Sequence, residues 1–109
     1  MAYDEGLAER IRQRLSADPD VGEKRMFGGI AFLYRGNMAV GVTGEDLLVR
    51  VGPDGTEAAL ARPGVRLFDM TGRPMRGWVV VAASTVAEDD ALGQWVDEGR
   101  TFAGSLPPK

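Results

Sequence analysis

The stretch KRMFGGIAFLYRGNMAVGV, residues 24–42, decides the fold that we predict for this chain. Apolar and aromatic residues follow a pair of glycines, a polar break stands at Arg35-Gly36-Asn37, and a second apolar run follows the break. This pattern indicates two strands joined by a tight turn, which is a β-hairpin. We predict strands over residues 30–34 and 38–43, and a third main strand over residues 47–51.

The chain on either side of this hairpin predicts three helices and more sheet. Leu7, Ile11 and Leu15 recur every four residues, so residues 4–17 are predicted to form a helix with one apolar stripe. The other predicted elements are a short helix over 53–61, strands over 65–68 and 78–83, a loop over 71–77 and a last helix over 88–104. The expected fold is a single α+β domain over residues 1–109, with an antiparallel sheet, flanking helices and the order α–β(3 or 4)–α–β(2)–α.

The composition narrows the classes of function. The 109 residues include no cysteine and no histidine, and the net charge is −3. Thiol nucleophiles, zinc knuckles and histidine acid–base catalysis are thereby excluded. A domain that binds nucleic acid by itself is usually basic, so we expect no direct nucleic-acid binding. The N-terminus lacks the features of a signal peptide, and the longest apolar run, 78–83, is too short to span a bilayer. We therefore expect a cytoplasmic protein with no membrane partner.

Three arginines are the candidate binding residues. Arg73 and Arg76 lie in the loop predicted over 71–77. Arg50 lies on the strand predicted over 47–51, which we expect to be next to this loop. Three guanidinium groups close together could hold a phosphate, a carboxylate or an acidic partner surface. The alternative is that they pair with acidic residues of the first or last helix, and the sequence leaves both interpretations open. Gly28-Gly29 lacks the GxGxxG spacing, so we interpret this pair as a bulge or tight turn rather than a dinucleotide site.

No constellation for catalysis stands out in the sequence. The acidic run Glu88-Asp89-Asp90 begins the last predicted helix, where the helix dipole favours acids, and adjacent helical residues point in different directions. We therefore predict no metal site, no cofactor and no enzymatic activity. Trp78 and Trp95 are predicted to anchor the core. The methionines that could either fill the core or lie on an adaptable interaction surface are Met26, Met38, Met70 and Met75.

The chain resembles the N-terminal domain of the TfoX/Sxy family over nearly its whole length. The segments that carry the resemblance are RMFGG at 25–29, IAF at 30–32, GNM at 36–38, LV and VGP within 48–53, TGRPMRGWV at 71–79, and the ending that runs from Trp95-Val96 through Phe102-Ala103 to SLPPK. Each segment is short, and their order and spacing together make the resemblance specific.

The resemblance implies an α+β fold similar to that of secretion chaperones, a class that often forms dimers, so a homodimer is expected by analogy. The family is named for regulators of competence gene expression that act with a cyclic-AMP-responsive activator, and its longer members carry a second, helical domain. For a stand-alone first domain, we expect a non-catalytic module that regulates gene expression through contacts with a protein partner, such as the transcription machinery. The alternative function is a small anion- or nucleotide-binding domain that uses Arg50, Arg73 and Arg76.

Overall fold

The computed structural model describes residues 3–26, 28–70 and 73–109, with the side chains of Met70, Arg73 and Pro74 outside the description. The elements in these ranges are α1 (Glu5–Arg14), β1 (Val21–Met26), β2 (Gly29–Tyr34), β3 (Asn37–Thr43), β4 (Asp46–Arg50), α2 (Thr56–Leu60), β5 (Val65–Met70), β6 (Arg73–Val81) and α3 (Asp89–Gly104). The predicted order is confirmed, with four strands before α2. No helix in these ranges is long and apolar enough to cross a membrane.

The strands form one sheet in the order β1–β2–β3–β4–β6–β5. Each strand from β1 to β4 pairs antiparallel with the next one in the chain. After α2 the chain crosses to the far edge as β5 and returns as β6, which pairs antiparallel with both β4 and β5. The predicted α+β class with an antiparallel sheet is therefore confirmed.

The helices pack on one face of this sheet. Leu7 and Ile11 of α1, Ala59 of α2, and Trp95 and Val96 of α3 belong to the same buried cluster. The sheet contributes to this cluster the alternate residues Ile30, Phe32, Val40, Val42, Leu47, Val49, Val79 and Val81. The intervening residues of these strands point to the opposite face, apart from Ala39, where a bulge interrupts the alternation of β3. The opposite face carries no helix from the described ranges. We call the two sides the helical face and the helix-free face.

Strand β1 is the element that the sequence pattern does not predict. Its residues, VGEKRM, are mostly exposed and lack an apolar alternation because β1 is an edge strand. Gly28 joins it to β2 with a φ of +72°, and a Cβ on Gly29 would clash with the carbonyl oxygen of Val42. The Gly-Gly pair therefore serves a turn and a close approach of two strands, as the interpretation of a structural glycine pair predicts.

Helix α3 lies against β3 at a point where the two backbones come close. A Cβ on Gly99 would lie 2.5 Å from the carbonyl oxygen of Ala39, which is closer than a real contact allows. Strand β3 carries a bulge at this residue, where its pairing with β2 shifts register. The small residues at 39 and 99 thus allow α3 to lie directly on the centre of the sheet.

Arginine–carboxylate pairs join the helices and loops on the helical side. Arg14 of α1 pairs with Asp97 of α3 at 2.7 Å, and Arg62, which follows α2, pairs with Glu98 of α3 at 2.6 Å. The other pairs in the described residues are Arg10–Asp89, Arg12–Glu9, Arg12–Glu23, Arg35–Asp20, Arg66–Asp46, Arg76–Glu57 and Arg100–Asp18. Because most of these side chains are well exposed, water screens the charges and each pair contributes little to stability.

The two terminal segments are bound to opposite ends of β3. The backbone N–H of Asp4 donates to the carbonyl oxygen of Gly44, just after β3, at 2.7 Å. The backbone N–H of Lys109 donates to the carbonyl oxygen of Arg35, just before β3, at 2.9 Å. The side-chain amide of Asn37, which is 3% exposed, donates to the carbonyl oxygen of Pro107 at 2.9 Å. The central strand is therefore held at both ends by backbone from outside the sheet.

Several predicted boundaries are wrong, and among them the helix predicted over 4–17 ends at Arg14. The loop predicted over 71–77 is strand from Arg73 onward, because β6 continues to pair with β5 as far as the Met70–Arg73 pair, while positions 71 and 72 lie outside the described residues. The helix predicted over 53–61 is confined to Thr56–Leu60, because a turn precedes it in which the N–H of Gly55 donates to the carbonyl oxygen of Gly52.

Candidate functional site

The helix-free face carries an apolar cluster of its own. Its buried centre consists of Ala31, Met38, Leu48, Phe68 and Val80. Larger, partly exposed side chains pack over this centre, and we call them the tryptophan–methionine layer: Met26, Leu33, Met75 and Trp78. An apolar layer that reaches solvent on a sheet face without a helix is the strongest candidate for a binding surface in the described part of the chain.

Strand alternation places the tryptophan of this layer beside an arginine. Arg50 of β4 lies directly opposite Trp78 of β6, and the two alternate with Val49 and Val79 of the helical-face core. For Trp78, the prediction of a core anchor is confirmed only in part, because Trp78 is partly buried and packs on the apolar cluster of the helix-free face instead of the helical-face core. The same prediction is confirmed for Trp95, which is 2% exposed within the main core.

Arg50 lies between two aromatic side chains. Its guanidinium carbon is 5.0 Å from the ring centre of Trp78 and 5.4 Å from the ring centre of Phe102. Each contact of this kind contributes about 0.5–2 kcal/mol, depending on how much water it excludes. The side chain is partly buried and forms no hydrogen bond or ion pair with any side chain that the structure describes. Arg50 is therefore a positive charge positioned by ring contacts, and no carboxylate of the described residues neutralises it.

A buried threonine fixes the strand ends on which this site stands. The hydroxyl of Thr56, which is 2% exposed, donates to the carbonyl oxygen of Gly52 at 2.8 Å and accepts from the N–H of Gly77 at 2.9 Å. The carbonyl oxygen of Gly77 accepts from the N–H of Gly52 at 3.1 Å. These bonds hold the backbones next to Arg50 and Trp78 in register. No sequence motif indicates the role of Thr56, because a single threonine at the start of a short helix is not part of any spacing pattern.

A groove of about 550 Å³ opens between α2 and α3. Its lining includes the apolar residues Ala59 and Phe102 and the ion pair of Arg62 with Glu98. Phe102 is thus shared between this groove and the ring contact with Arg50. The tryptophan–methionine layer and the groove therefore approach each other at Arg50.

A second stacked arginine lies at the groove and differs from Arg50 in one respect. The guanidinium carbon of Arg62 is 3.6 Å from the ring centre of Trp95. The same guanidinium donates to a carboxylate oxygen of Glu98 at 2.6 Å. Arg62 is consequently a neutralised, structural arginine, whereas Arg50 keeps an unmatched charge.

The three arginines predicted to bind an anion have different surroundings. Arg50 contacts rings and no carboxylate, as described above. Arg76 is exposed and lies 3.9 Å from Glu57, so it has an acidic neighbour, although this acid belongs to α2 and not to the first or last helix. The side chain of Arg73 lies outside the described residues. The convergence of all three on one ligand stays a prediction.

The titrating groups with shifted pKa values lie on the helical side, away from this site. The N–H of Asp20, and then the guanidinium of Arg100, lower the pKa of Asp18. The hydrogen bond from Arg12 lowers the pKa of Glu23. Each shift is explained by a hydrogen bond or an ion pair that stabilises the charged form. In the described ranges, no three or more histidine, cysteine, aspartate or glutamate side chains are grouped as a metal ion would require.

The sequence of this chain is similar to that of one known protein family over most of its length. A family model described as the TfoX N-terminal domain matches residues 13–103, which is most of the chain. The chain belongs to the TfoX N-terminal domain family. The matched range includes every strand of the sheet, the tryptophan–methionine layer and Arg50. Neither a curated protein nor a solved structure gave a significant match.

Membership in the TfoX N-terminal domain family confirms the resemblance drawn from the sequence segments. The family is often linked to the regulation of competence, and its fold agrees with the six-stranded antiparallel sheet and three helices of the described residues. The expected similarity to secretion chaperones stays a prediction, as does the homodimer expected from it.

Proposed function

We propose that this TfoX N-terminal domain is a non-catalytic interaction module that regulates gene expression by contacting a protein partner, such as a component of the transcription machinery. The observation that carries the proposal is the partly exposed tryptophan–methionine layer on the helix-free face. Protein interfaces are enriched in tryptophan, methionine and arginine, and their energetic anchors are enriched in tryptophan and arginine. The layer and the adjoining Arg50 have this composition, and the family supplies the regulatory context.

The side-chain chemistry of the chain agrees with a binding role. Cysteine and histidine are absent from the sequence, so the most nucleophilic side chain and the commonest proton-transfer group are not available to it. The net charge of −3 argues against direct binding to nucleic acid. In this proposed role, the domain binds proteins in the cytoplasm and needs no cofactor.

Site-specific photo-crosslinking in cells tests this function. A photoreactive amino acid replaces Leu33, which belongs to the tryptophan–methionine layer, or Gln94, which is exposed on α3 and serves as the control. We expect a covalent adduct with another protein from position 33 and none from position 94. Adducts from position 94 alone, or no adduct together with metabolite turnover by the purified protein, would overturn the proposal.

A small anion-binding domain is the second candidate function, and the unneutralised charge of Arg50 favours it. Its ligand would be a phosphate or a nucleotide, bound by Arg50 with Arg73 and Arg76. A ligand present at 100 times its dissociation constant would stabilise the folded protein by about 2.7 kcal/mol, which raises the melting temperature. The Arg50→Gln variant should lose this increase. If no phosphate or nucleotide raises the melting temperature of the unaltered protein, this candidate is excluded.

A further inference from the structure

We propose that the partner covers the tryptophan–methionine layer with a segment that is both apolar and acidic, and that a carboxylate of this segment binds Arg50. This inference rests on the proposed function and adds the chemical character of the partner. Apolar side chains of the segment would cover Trp78 and Met75, while Asp or Glu side chains would reach the guanidinium of Arg50.

The ion pairs of the molecule single out Arg50. Nearly all arginines with described side chains have a carboxylate partner, namely Arg10, Arg12, Arg14, Arg35, Arg62, Arg66, Arg76 and Arg100. Arg25 and Arg50 have none among the described residues, and of these two only Arg50 is partly buried. A partly desolvated guanidinium without a counter-ion costs free energy. A carboxylate brought by a partner would recover that cost.

The charges of β1 to β4 that lie around the layer without an ion-pair partner are positive. Strand alternation places Lys24 of β1 on the same face as Met26, and Lys24 forms no ion pair with the described residues. Among the carboxylates of β1 to β4, alternation places Asp46 on this face, and its oxygens already accept from Arg66 and from the N–H of Ala83. The layer is therefore an apolar surface flanked by unmatched positive charge, which complements an acidic apolar segment.

Arg50 is also prepared for a carboxylate by its position. Its contacts with Trp78 and Phe102 restrict the side chain before any partner arrives, so less rotamer entropy is lost on binding. The flat guanidinium that stacks on these rings presents its N–H groups at its edge, where a carboxylate can accept two of them.

The same charges argue against other occupants of this surface. In a symmetric dimer through the layer, Arg50 and Lys24 of one copy would approach the like charges of the other copy, and the described part of β1 to β4 offers no free carboxylate on that face to separate them. A free phosphate would engage Arg50 and leave Trp78 and Met75 in water. The observations therefore favour a protein segment over a second copy or a small anion.

Selection from a displayed random-peptide library tests this inference with the full chain as bait. We expect the selected peptides to combine apolar residues with Asp or Glu. Binding of a selected peptide should weaken at least about tenfold in Arg50→Gln and should fall with rising salt. Arg62→Gln is the matched control, because Arg62 also stacks on a tryptophan but already has Glu98 as its partner; it should bind like the unaltered protein.

A charge reversal keeps the test independent of any loss of folding. Arg50→Glu should reject the acidic peptide and bind the same peptide in which Lys replaces the critical acid. The fluorescence of Trp78 should change on binding, and this signal should vanish in Trp78→Phe, which retains Trp95 as an internal reference. Recovery of binding by the reversed pair would support a direct contact with Arg50.

The alternative outcomes separate this inference from the proposed function. Selected peptides that are apolar but not acidic, and that ignore Arg50, would overturn the inference and leave an interaction module in place. If no selected peptide loses binding in the Trp78→Ala or Leu33→Asp variant, both the inference and the proposed function would be overturned. A dimer in sedimentation equilibrium that Leu33→Asp dissociates, or an oligonucleotide that binds through Arg50, would replace the acidic segment with a different occupant.

Discussion

The two faces of the sheet are formed by alternate residues of the same strands, but they are covered to different extents. On the helical face, the strands and the three helices share one buried cluster, and arginine–carboxylate pairs such as Arg14–Asp97 and Arg62–Glu98 join the elements of that side. On the helix-free face, the outermost apolar side chains stay partly exposed and Arg50 has no carboxylate among the described residues. One side of this small sheet therefore suffices to build the main core, and the other side stays available for contact with a partner.

The two tryptophans give the most direct test of this comparison and the largest expected effect. Trp95→Ala removes a ring that is 2% exposed, so we expect the free energy of unfolding to fall by about 3–5 kcal/mol. Trp78→Ala removes a ring that is partly in water, so about 1–2 kcal/mol is expected. Urea denaturation of both variants measures the difference. Equal losses would show that both faces are core in the same sense and would remove the contrast.

Two glycines, Gly99 in α3 and Gly22 in β1, allow the packing of the backbone on the two faces to be compared. Gly99→Ala forces a Cβ to within 2.5 Å of a carbonyl oxygen between α3 and β3, and overpacking of this kind costs about 1–3 kcal/mol. Gly22 alternates onto the helix-free face of β1, and a Cβ there meets no atom within 4 Å. Gly22→Ala should therefore change stability by less than about 0.5 kcal/mol. A destabilising Gly22→Ala, measured by the same urea titration, would mean that this edge is covered.

The smallest effect depends on pH and belongs to the helical side. Asp18 and Glu23 have pKa values below the ordinary 3.8 and 4.5, because hydrogen bonds to Asp20 and Arg12, respectively, favour their charged forms. Such groups bind fewer protons in the folded than in the unfolded state. Their stabilisation is therefore present above about pH 5 and is lost as the pH falls through the lower, folded-state values.

Thermal unfolding between neutral and acidic pH measures this dependence. We expect Asp18→Asn and Glu23→Gln each to flatten the loss of melting temperature on the acid side. Glu45→Gln is the control, because Glu45 is exposed and has no ion-pair partner in the described part of the chain. An acid slope that all three variants share with the unaltered protein would contradict the assignment.

Local pattern predicted the elements that carry their own apolar periodicity. Helix α3 begins at Asp89 and ends at Gly104, within one residue of the prediction over 88–104. The hairpin of β2 and β3 was likewise predictable from its alternation. Strand β1 was not, because an exposed edge strand is defined by its hydrogen bonds to β2 and shows no buried alternation.

The candidate site was predictable only in its parts. Arg50 was singled out, but its contacts with Trp78 and Phe102 join residues far apart in the chain, and no spacing rule relates them. The role of Thr56 is equally non-local, since its hydroxyl links β6 to the turn after β4. The methionine prediction left two options open, and the structure divides them: Met38 lies in the buried centre of the helix-free face, while Met26 and Met75 reach solvent.

The hydrogen bonds of the terminal segments to β3 have a mechanical consequence. Asp4 is attached next to the last residue of β3, and Lys109 next to the first. A stretching force applied to these two segments would be borne first by the few hydrogen bonds that attach them to β3, because the covalent chain leads from them into α1 and α3 and not into β3. Under load, the two segments should therefore detach from the sheet before any strand separates from its neighbour.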